Sequence, residues 1–547
     1  MSSRLLTLLF SLGLFLGPVS SLHSAQFYND WAAANSSGGP YADPDLDGES
    51  NVVEFAYGTD PFTPGMTNGT LYPFIIGDTG TNDTVGVTVL QREGHQPGVQ
   101  IDLYLSADLT NWFRPWWLRT ATNSAPEDPA GSVRESFTTQ LGGTNIWFAR
   151  SSVTLVDAGV ETATYYIATN GSDSNAGTST NSPFYTLNKA ASLANPGDLI
   201  YLRGGTYYWP AQQNLSRSGS STQSIRVRAW PGEQPICDLS GAATNANGFQ
   251  INGSWWHLYG LELRYASHNG MKIQGASNII ERCVVHECGD TGIHITSTTA
   301  HSNLVLNCDS YLNYDAPTGG DADGFSAKFE LGYNNVFRGC RCWGNSDDGW
   351  DLWQATNRVV VEYCLSYSNG FNFFDPSNAS FDGNGIGFKL GGNYYYGPHL
   401  ISHNVSFRNH AHGYDQNNNL SGLTLNNNTA WANGGKNYNL NHGTNTIPHV
   451  VRNNLSMNGT SSDGFTSGTL ATNNSWQLGL SPAAGTNDLL NADPAYAKAD
   501  RRDDGAMAET PFLRPVPTAR LVNKGVDIGE PYFGTAPDVG AFETPQW

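Results

Sequence analysis

The sequence predicts an all-β protein built mainly on a parallel β-helix, and three observations carry that prediction. From Thr164 onward, runs of three to five strand-forming residues recur between Asn and Gly, with no helical periodicity beyond a weak helix near 186–194. Landmark residues then repeat: Cys283, Cys308, Cys340 and Cys364, followed by Asn404 and Asn428, stand at intervals of 25, 32, 24, 40 and 24 residues. Five residues after each of them lies Cys288, Asn313, Asn345, Asn369, Asn409 or Asn433. A repeat of about 24 residues made of several short strands is one rung of a solenoid, in which like residues stack about 4.8 Å apart.

The elements before that domain differ in kind. Residues 1–25 place Arg4 ahead of an apolar run over 5–16 and then small residues, the pattern of a secretory signal peptide cleaved between Ser21 and Ala25. The mature chain is therefore expected to be exported, with cell-surface attachment left open. No later apolar run is long enough for a membrane span. Residues 26–61 hold DPDLDGESNVVE at 43–54. Asp43, Asp45 and Asp47 occupy positions 1, 3 and 5 of an EF-hand-like calcium loop, Gly48 its sharp turn and Glu54 its closing position 12. A structural Ca2+ is expected there, against the alternative of a solvated acidic linker. Residues 62–160 alternate polar and apolar in runs such as VGVTVL and IDLYLSA, which predicts a small β-sandwich-like domain. Its tryptophans read as core or, less often, as a sugar-binding surface.

Residues 161–547 make the β-helix domain. Its four leading cysteines are expected to stack reduced in the interior, so the odd total of seven needs no disulfide explanation. The asparagines are expected to form a ladder at a bend, each amide bonding to neighbouring rungs. The segment PDVGAFE at 537–543 is expected to form a last strand packed back on the same domain.

Acidic residues exceed Lys and Arg by 20, which argues against nucleic acid as a partner. A polyanionic substrate stays possible if cations bridge the two surfaces. The chain is expected to act as a monomer.

Aligned rungs then expose a cluster. DADGFSAK (321–328), SDDGWDLW (346–353), GNGIGFKL (383–390) and HAHGYDQN (410–417) each place an aromatic directly after glycine: Phe325, Trp350, Phe388 and Tyr414. With those rings inward, strand alternation turns Ser326, Asp351, Lys389 and Asp415 outward as one column. Asp323, Asp347, Asp348 and Asp351 then converge on a patch of the outer surface. Their repulsion calls for a cation, and clustered oxygens suit calcium; independent turn aspartates are the plainer reading. Lys389, one rung beyond Asp351, is either a general base with a lowered pKa or a salt-bridge partner of the carboxylates. The residues alone leave both open.

DADGFSAK, FRGCRCWGNSDDGWDLW, GNGIGFKLGG and HGYDQNNN closely resemble polysaccharide lyase family 9, in order and at near-constant spacing over roughly 164–545. The resemblance implies a right-handed parallel β-helix and calcium-dependent cleavage of pectate or related uronans. It implies Asp323, Asp347, Asp348 and Asp351 as calcium ligands and Lys389 as the Brønsted base. The calcium loop and the 62–160 region lie outside it. The expected chemistry is removal of the C5 proton of a uronate with departure of the C4 oxygen. Lys328, Trp353 and Asp415 are expected to contact the acidic polysaccharide. The alternatives are a rhamnogalacturonan or other uronan lyase, a β-helix glycoside hydrolase using paired carboxylates, and a non-catalytic carbohydrate-binding β-helix with Trp350, Trp353 and Tyr414 as stacking platforms.

Overall fold

The computed structural model describes residues 160–442, 447–502 and 504–544, and before residue 160 only six strands. The signal sequence over 1–25 and the calcium loop with Asp43, Asp45, Asp47 and Glu54 lie outside the described residues. The chain divides into two compact units, one of 1–161 with 493–512 and 545–547, the other of 162–492 with 513–544.

In the first unit the described strands pair antiparallel. Ile75–Gly77, Thr84–Arg92, Ser132–Gln140 and Leu118–Asn123 form one sheet in that order, and Val99–Ser106 pairs with Phe148–Leu155. Leu103 and Leu105 are buried while Tyr104 between them is partly exposed, the alternation of a half-covered strand. Arg502 donates to Asp102 at 2.9 Å and ties the 493–512 segment into this unit.

The second unit is a parallel β-helix. Its strands form three parallel sheets, here A with twelve strands from Tyr165–Ile167 to Leu470–Thr472, B with ten from Gly205–Tyr208 to Leu455–Met457, and C with ten from Gln213–Leu215 to Gly464–Phe465. One rung runs A, B, C, as in Ile279–Glu281, Val284–His286 and Ile293–Ser297. The expected helix is Leu187–Leu193, capped by the Thr186 hydroxyl, and it buries Leu187, Ala190 and Ala191 in the core. A single apolar core then runs through the coil interior.

The bends explain why the ladders exist. Directly after strands of sheet A the chain passes through left-handed backbone at Arg282, Asn307, Gly339, Tyr363, His403, Asn427, Asn453 and Asn473, with φ from 50° to 65°. For a residue with a Cβ that conformation costs about 1–2 kcal/mol. The next residue in each case is a ladder residue whose side chain helps satisfy the bend. Cys283, Cys308, Cys340 and Cys364 are buried thiols, and Cys308 and Cys340 sit on adjacent rungs, as expected. From Cys364 the ladder continues through Asn404 and Asn428 and then, past the repeats aligned above, through Asn454 and Asn474. The second ladder stands at the B-to-C bend: Asn313, Asn345, Asn369, Asn409 and Asn433 bond from rung to rung.

Asn369 donates its backbone N–H and its Nδ2 to Asn409 Oδ1 at 3.2 and 2.9 Å, all fully buried. Asn409→Ala leaves the buried Asn369 N–H without its acceptor and takes one acceptor from Asn369 Nδ2, which keeps its bond with Ser366 Oγ, so about 3 kcal/mol of stability should be lost. A lower urea midpoint at unchanged m-value is the expected reading.

Buried histidines replace asparagine elsewhere at the start of sheet A. His399 Nδ1 accepts the Val359 N–H and His449 Nδ1 the Leu423 N–H, both at 3.1 Å. Burial depresses their pKa to about 3 and about 4 from an ordinary 6.5. The unfolded chain therefore binds protons below pH 6.5 that the native state refuses, so stability is full above 6.5 and falls towards pH 4. Each histidine steepens that fall by up to about 1.4 kcal/mol per pH unit. Comparing urea midpoints at pH 7 and 5, wild type should lose more than His399→Asn.

The 537–543 segment corrects one expectation. It packs back on the coil, with Gly540 N–H on Asn453 O at 2.8 Å and Ala541 N–H on Thr429 Oγ1 at 2.9 Å, but it is not a strand. The Asn427 side-chain amide at one bend donates to Asp538 O and Gly540 O, and the Asn453 backbone carbonyl takes the Gly540 N–H, so the segment's polar groups are engaged by bends and not by a strand.

Candidate active site

Sheet C carries the site. Its strands Phe325–Leu331, Trp350–Asp351, Phe388–Lys389 and Tyr414–Asp415 align Phe325 with Trp350, Phe388 and Tyr414, and Ser326 with Asp351, Lys389 and Asp415. The aromatic rings stack inward with centroids 4.7–4.9 Å apart. The glycine before each ring is required by crowding: a Cβ on Gly349 would stand 2.0 Å from Ser366 Oγ and 2.5 Å from Gly387 O. Trp350 and Tyr414 are fully buried, which removes them as sugar platforms.

The outward column is not on an exposed surface, and this corrects the sequence reading. Asp323, Asp347, Asp348 and Asp351 are at most 2% exposed. Two insertions between sheets B and C wall them in. Tyr314 stacks on Phe374 at 4.5 Å, Asp382 donates its N–H to Thr318 O at 2.9 Å, and Gly319 leaves room for the Phe381 ring. The opposite flank is Trp353, set edge-on to Phe329 at 5.5 Å and lying against Gly392, where a Cβ would collide with its ring.

One oxygen each from Asp323, Asp347 and Asp348 lies within 4.8 Å of the others. Asp351 joins them through two lysines. Lys328 Nζ is 2.7 Å from Asp323 Oδ2 and 3.1 Å from Asp351 Oδ2; Lys389 Nζ is 3.0 Å from Asp348 Oδ2 and 3.4 Å from Asp351 Oδ2. Lys328 is thus engaged with the carboxylates themselves. Asp415, expected to meet the polysaccharide, is buried and accepts from Asn417 N–H at 2.7 Å and Asn439 Nδ2 at 2.9 Å.

Four carboxylates face two ammonium groups, and the imbalance appears in their proton affinities. Burial pushes Asp323 up to about 8, with Lys328 opposing and Asp351 and Asp348 adding to the rise. Burial likewise raises Asp348 to about 6 and Asp347 well above the usual carboxylate range. Asp351, despite burial, is held low because both lysines reach it. Lys389 is raised: burial opposes its charge, but Asp348 and Asp351 outweigh burial. Asp348 Oδ2 meets the Lys389 ammonium at 3.0 Å as an ion pair and has no further hydrogen-bond donor. A buried, all-oxygen set with a carboxylate oxygen left without a donor beyond that ion pair fits a hard divalent cation.

Sequence reasoning missed the supports. Thr291 Oγ1 donates to Asp323 Oδ2 at 3.0 Å from one rung earlier. The second insertion supplies the N–H of Asn384 to Asp347 Oδ1 at 2.5 Å and that of Ile386 to Asp348 Oδ1 at 2.7 Å. Thr291 stands two residues before Ile293, as Asp323 does before Phe325, so rung alignment could have found it. The backbone donors left no sequence signal.

The described residues hold no helix long and apolar enough to cross a membrane. Comparison with known proteins gives four concordant likenesses. The Pel9A-like right-handed beta helix family model matches residues 165–454. A pectate lyase L of Dickeya chrysanthemi is 38% identical over 394 residues, covering 69% of this chain and 90% of its own. The crystal structure of pectate lyase Pel9A is 36% identical with TM-score 0.63, covering 69% of this chain and 96% of its own. A rhamnogalacturonan lyase structure is 27% identical with TM-score 0.58, covering 64% and 96%. With the in-register column of Asp351 and Lys389 on sheet C, these likenesses establish that the chain belongs to the Pel9A-like right-handed β-helix family, polysaccharide lyase family 9, and is a polysaccharide lyase.

Proposed function

We propose that this chain is an exported, monomeric lyase that cleaves pectate or a related acidic polysaccharide by β-elimination, with Lys389 as general base and calcium at Asp323, Asp347, Asp348 and Asp351. The observation that carries the reading is the register of Lys389 beside Asp351 on the outward face, with Nζ 3.0 Å from Asp348 Oδ2. The relatives' activity on pectate supports the substrate class, and the apolar leader over 5–16 supports export. The second calcium is assigned to Asp43, Asp45, Asp47 and Glu54 on sequence alone.

In the reaction, Lys389 Nζ takes the proton from C5 of the uronate. The C5–H electrons form the C4–C5 double bond, the C4–O bond breaks with its electron pair on the departing oxygen, and that oxygen takes a proton from solvent water. A bound calcium supplies positive charge against the substrate carboxylate and the charge that grows at C5. Lys389 must be neutral to act, and Asp348 and Asp351 are what hold its proton. Neutralisation of those carboxylates frees the base. Trp353 and Phe329 offer an apolar flank for a sugar ring, with Phe329 exposed. A hydrolase would need one carboxyl free to protonate the leaving oxygen and another to activate water. Here Asp323, Asp348 and Asp351 are paired with the two lysines, and Asp347 and Asp348 also accept backbone N–H groups.

The test is product chemistry. Incubation with polygalacturonate and with an alternating rhamnose–galacturonate polymer should release fragments absorbing in the ultraviolet through a conjugated 4,5-double bond. New reducing ends without that absorbance would make the chain a hydrolase.

A further inference from the structure

Lysine is rare in this chain, with seven among 547 residues, at 189, 272, 328, 389, 436, 498 and 524. Three of the seven lie on strands of sheet C and a fourth, Lys436, stands two residues before one, so the four fall on every second rung. Lys272 aligns with His294, His294 with Ser326, Ser326 with Asp351, Asp351 with Lys389, Lys389 with Asp415, and Asp415 with Asn439. Lys436 precedes the Tyr438–Leu440 strand and lays its Nζ on Asn439 Oδ1 at 2.9 Å. Lys328 and Lys389 are tied to the site carboxylates. Lys272 and Lys436 stand three rungs to either side of Asp351, about 14 Å away in each direction at the rung spacing.

The outer two lysines differ from the paired arginines of the other sheets. There, Arg264, Arg338 and Arg341 each pair with a carboxylate of a neighbouring rung: Asp238, Glu362 and Asp309. Lys272 and Lys436 are half-buried and, among the described residues, have no acidic partner within ion-pair distance. In a protein of net charge −20, these two ammonium groups stand on the active face without a carboxylate at ion-pair distance, and Lys436 feels Asp463 as a longer-range charge.

We propose that Lys272 and Lys436 are outer subsite residues, each binding the carboxylate of a uronate three rungs from the scissile sugar, so that the polysaccharide lies along sheet C across six rung spacings. The inference rests on the lyase reading and extends it to the length of chain gripped. A lysine suits the role because its compact charge on a flexible stem follows a carboxylate that the sugar conformation can move. The contacts lie far from the reacting atoms and stabilise ground and transition states alike, so they set KM and leave kcat alone.

The experiment measures Lys272→Gln, Lys436→Gln and the double variant on the uronan that wild type degrades, as polymer and as size-fractionated oligomers. Lys524→Gln, an exposed lysine elsewhere, controls for net charge. Each single change should raise KM on the polymer about tenfold at unchanged kcat. The double variant should lose the gain in kcat/KM with oligomer length, and added salt should raise the wild-type KM but hardly move the double variant's. Lys272→Arg and Lys436→Arg should recover most of the loss. Wild-type KM in both Gln variants, or an effect at only one of them, overturns the inference while unsaturated product is still made. Absence of unsaturated product from wild type on any uronan sinks the lyase reading instead. In that case, affinity electrophoresis of wild type and variants in gels containing polygalacturonate decides whether the two lysines bind the chain.

Discussion

Lys389→Arg should abolish turnover, by about 10²–10⁴-fold, while the protein folds and binds substrate as before. Guanidinium keeps its proton at any usable pH and so cannot take one from C5. It can still pair with Asp348 and Asp351, which Lys389 reaches at 3.0 and 3.4 Å, so the column keeps its charge. Melting temperature and affinity for the polymer are the controls. The pH profile adds a second reading. Only the neutral amine is active, and the surrounding carboxylates raise its pKa, so wild-type rate should climb on the alkaline side. Lys328→Arg is the counter-experiment, because Lys328 also touches Asp351, at 3.1 Å. Near-normal turnover in Lys389→Arg together with loss in Lys328→Arg would exchange the two roles. Activity in both would end the lysine-base mechanism.

Removal of calcium should also eliminate activity, and add-back should restore it, with a proton signature that activity alone would not reveal. Near neutral pH the ion-free site holds protons, since burial and mutual repulsion place Asp323 at about 8 and Asp348 at about 6. A cation displaces them. Calorimetric titration in buffers of different ionisation enthalpy should therefore detect proton release at pH 7. Affinity should rise as pH goes from 6 to 8, by up to tenfold per unit for each proton displaced. A chain lacking residues 1–61 separates this site from the loop at Asp43, Asp45, Asp47 and Glu54. Full activity of a verified metal-free sample would refute the assignment.

The columns on sheet C are legible in the amino-acid sequence because a β-helix is nearly one-dimensional. Residues one rung apart in sequence are also neighbours in space, so aligning glycine–aromatic pairs sets Phe325, Trp350 and Phe388 in register and carries Asp351 and Lys389 with them. The ladders follow the same logic as far as the last aligned rung. Asn454 and Asn474 continue the first ladder beyond Asn428, at 26 and 20 residues. Thr291 escapes for a simpler reason: its hydroxyl is unremarkable until Asp323 is found 3.0 Å away.

Sequence by itself therefore determined the architecture, the inward and outward faces, and which aspartates and lysine share a column, because strand alternation and rung stacking are local rules repeated. Only the tertiary structure decided that these carboxylates are buried, that Lys328 and Lys389 both bridge to Asp351, and that the second insertion feeds two backbone N–H groups to Asp347 and Asp348. Those features depend on how the 314–323 and 370–387 insertions meet one another, as in the Tyr314–Phe374 stack. No rung period governs that meeting; it is a contact between irregular segments far apart in sequence. Burial, in turn, sets the proton affinities of the site, because desolvation is decided by what packs over a charge and not by the residues beside it in the chain.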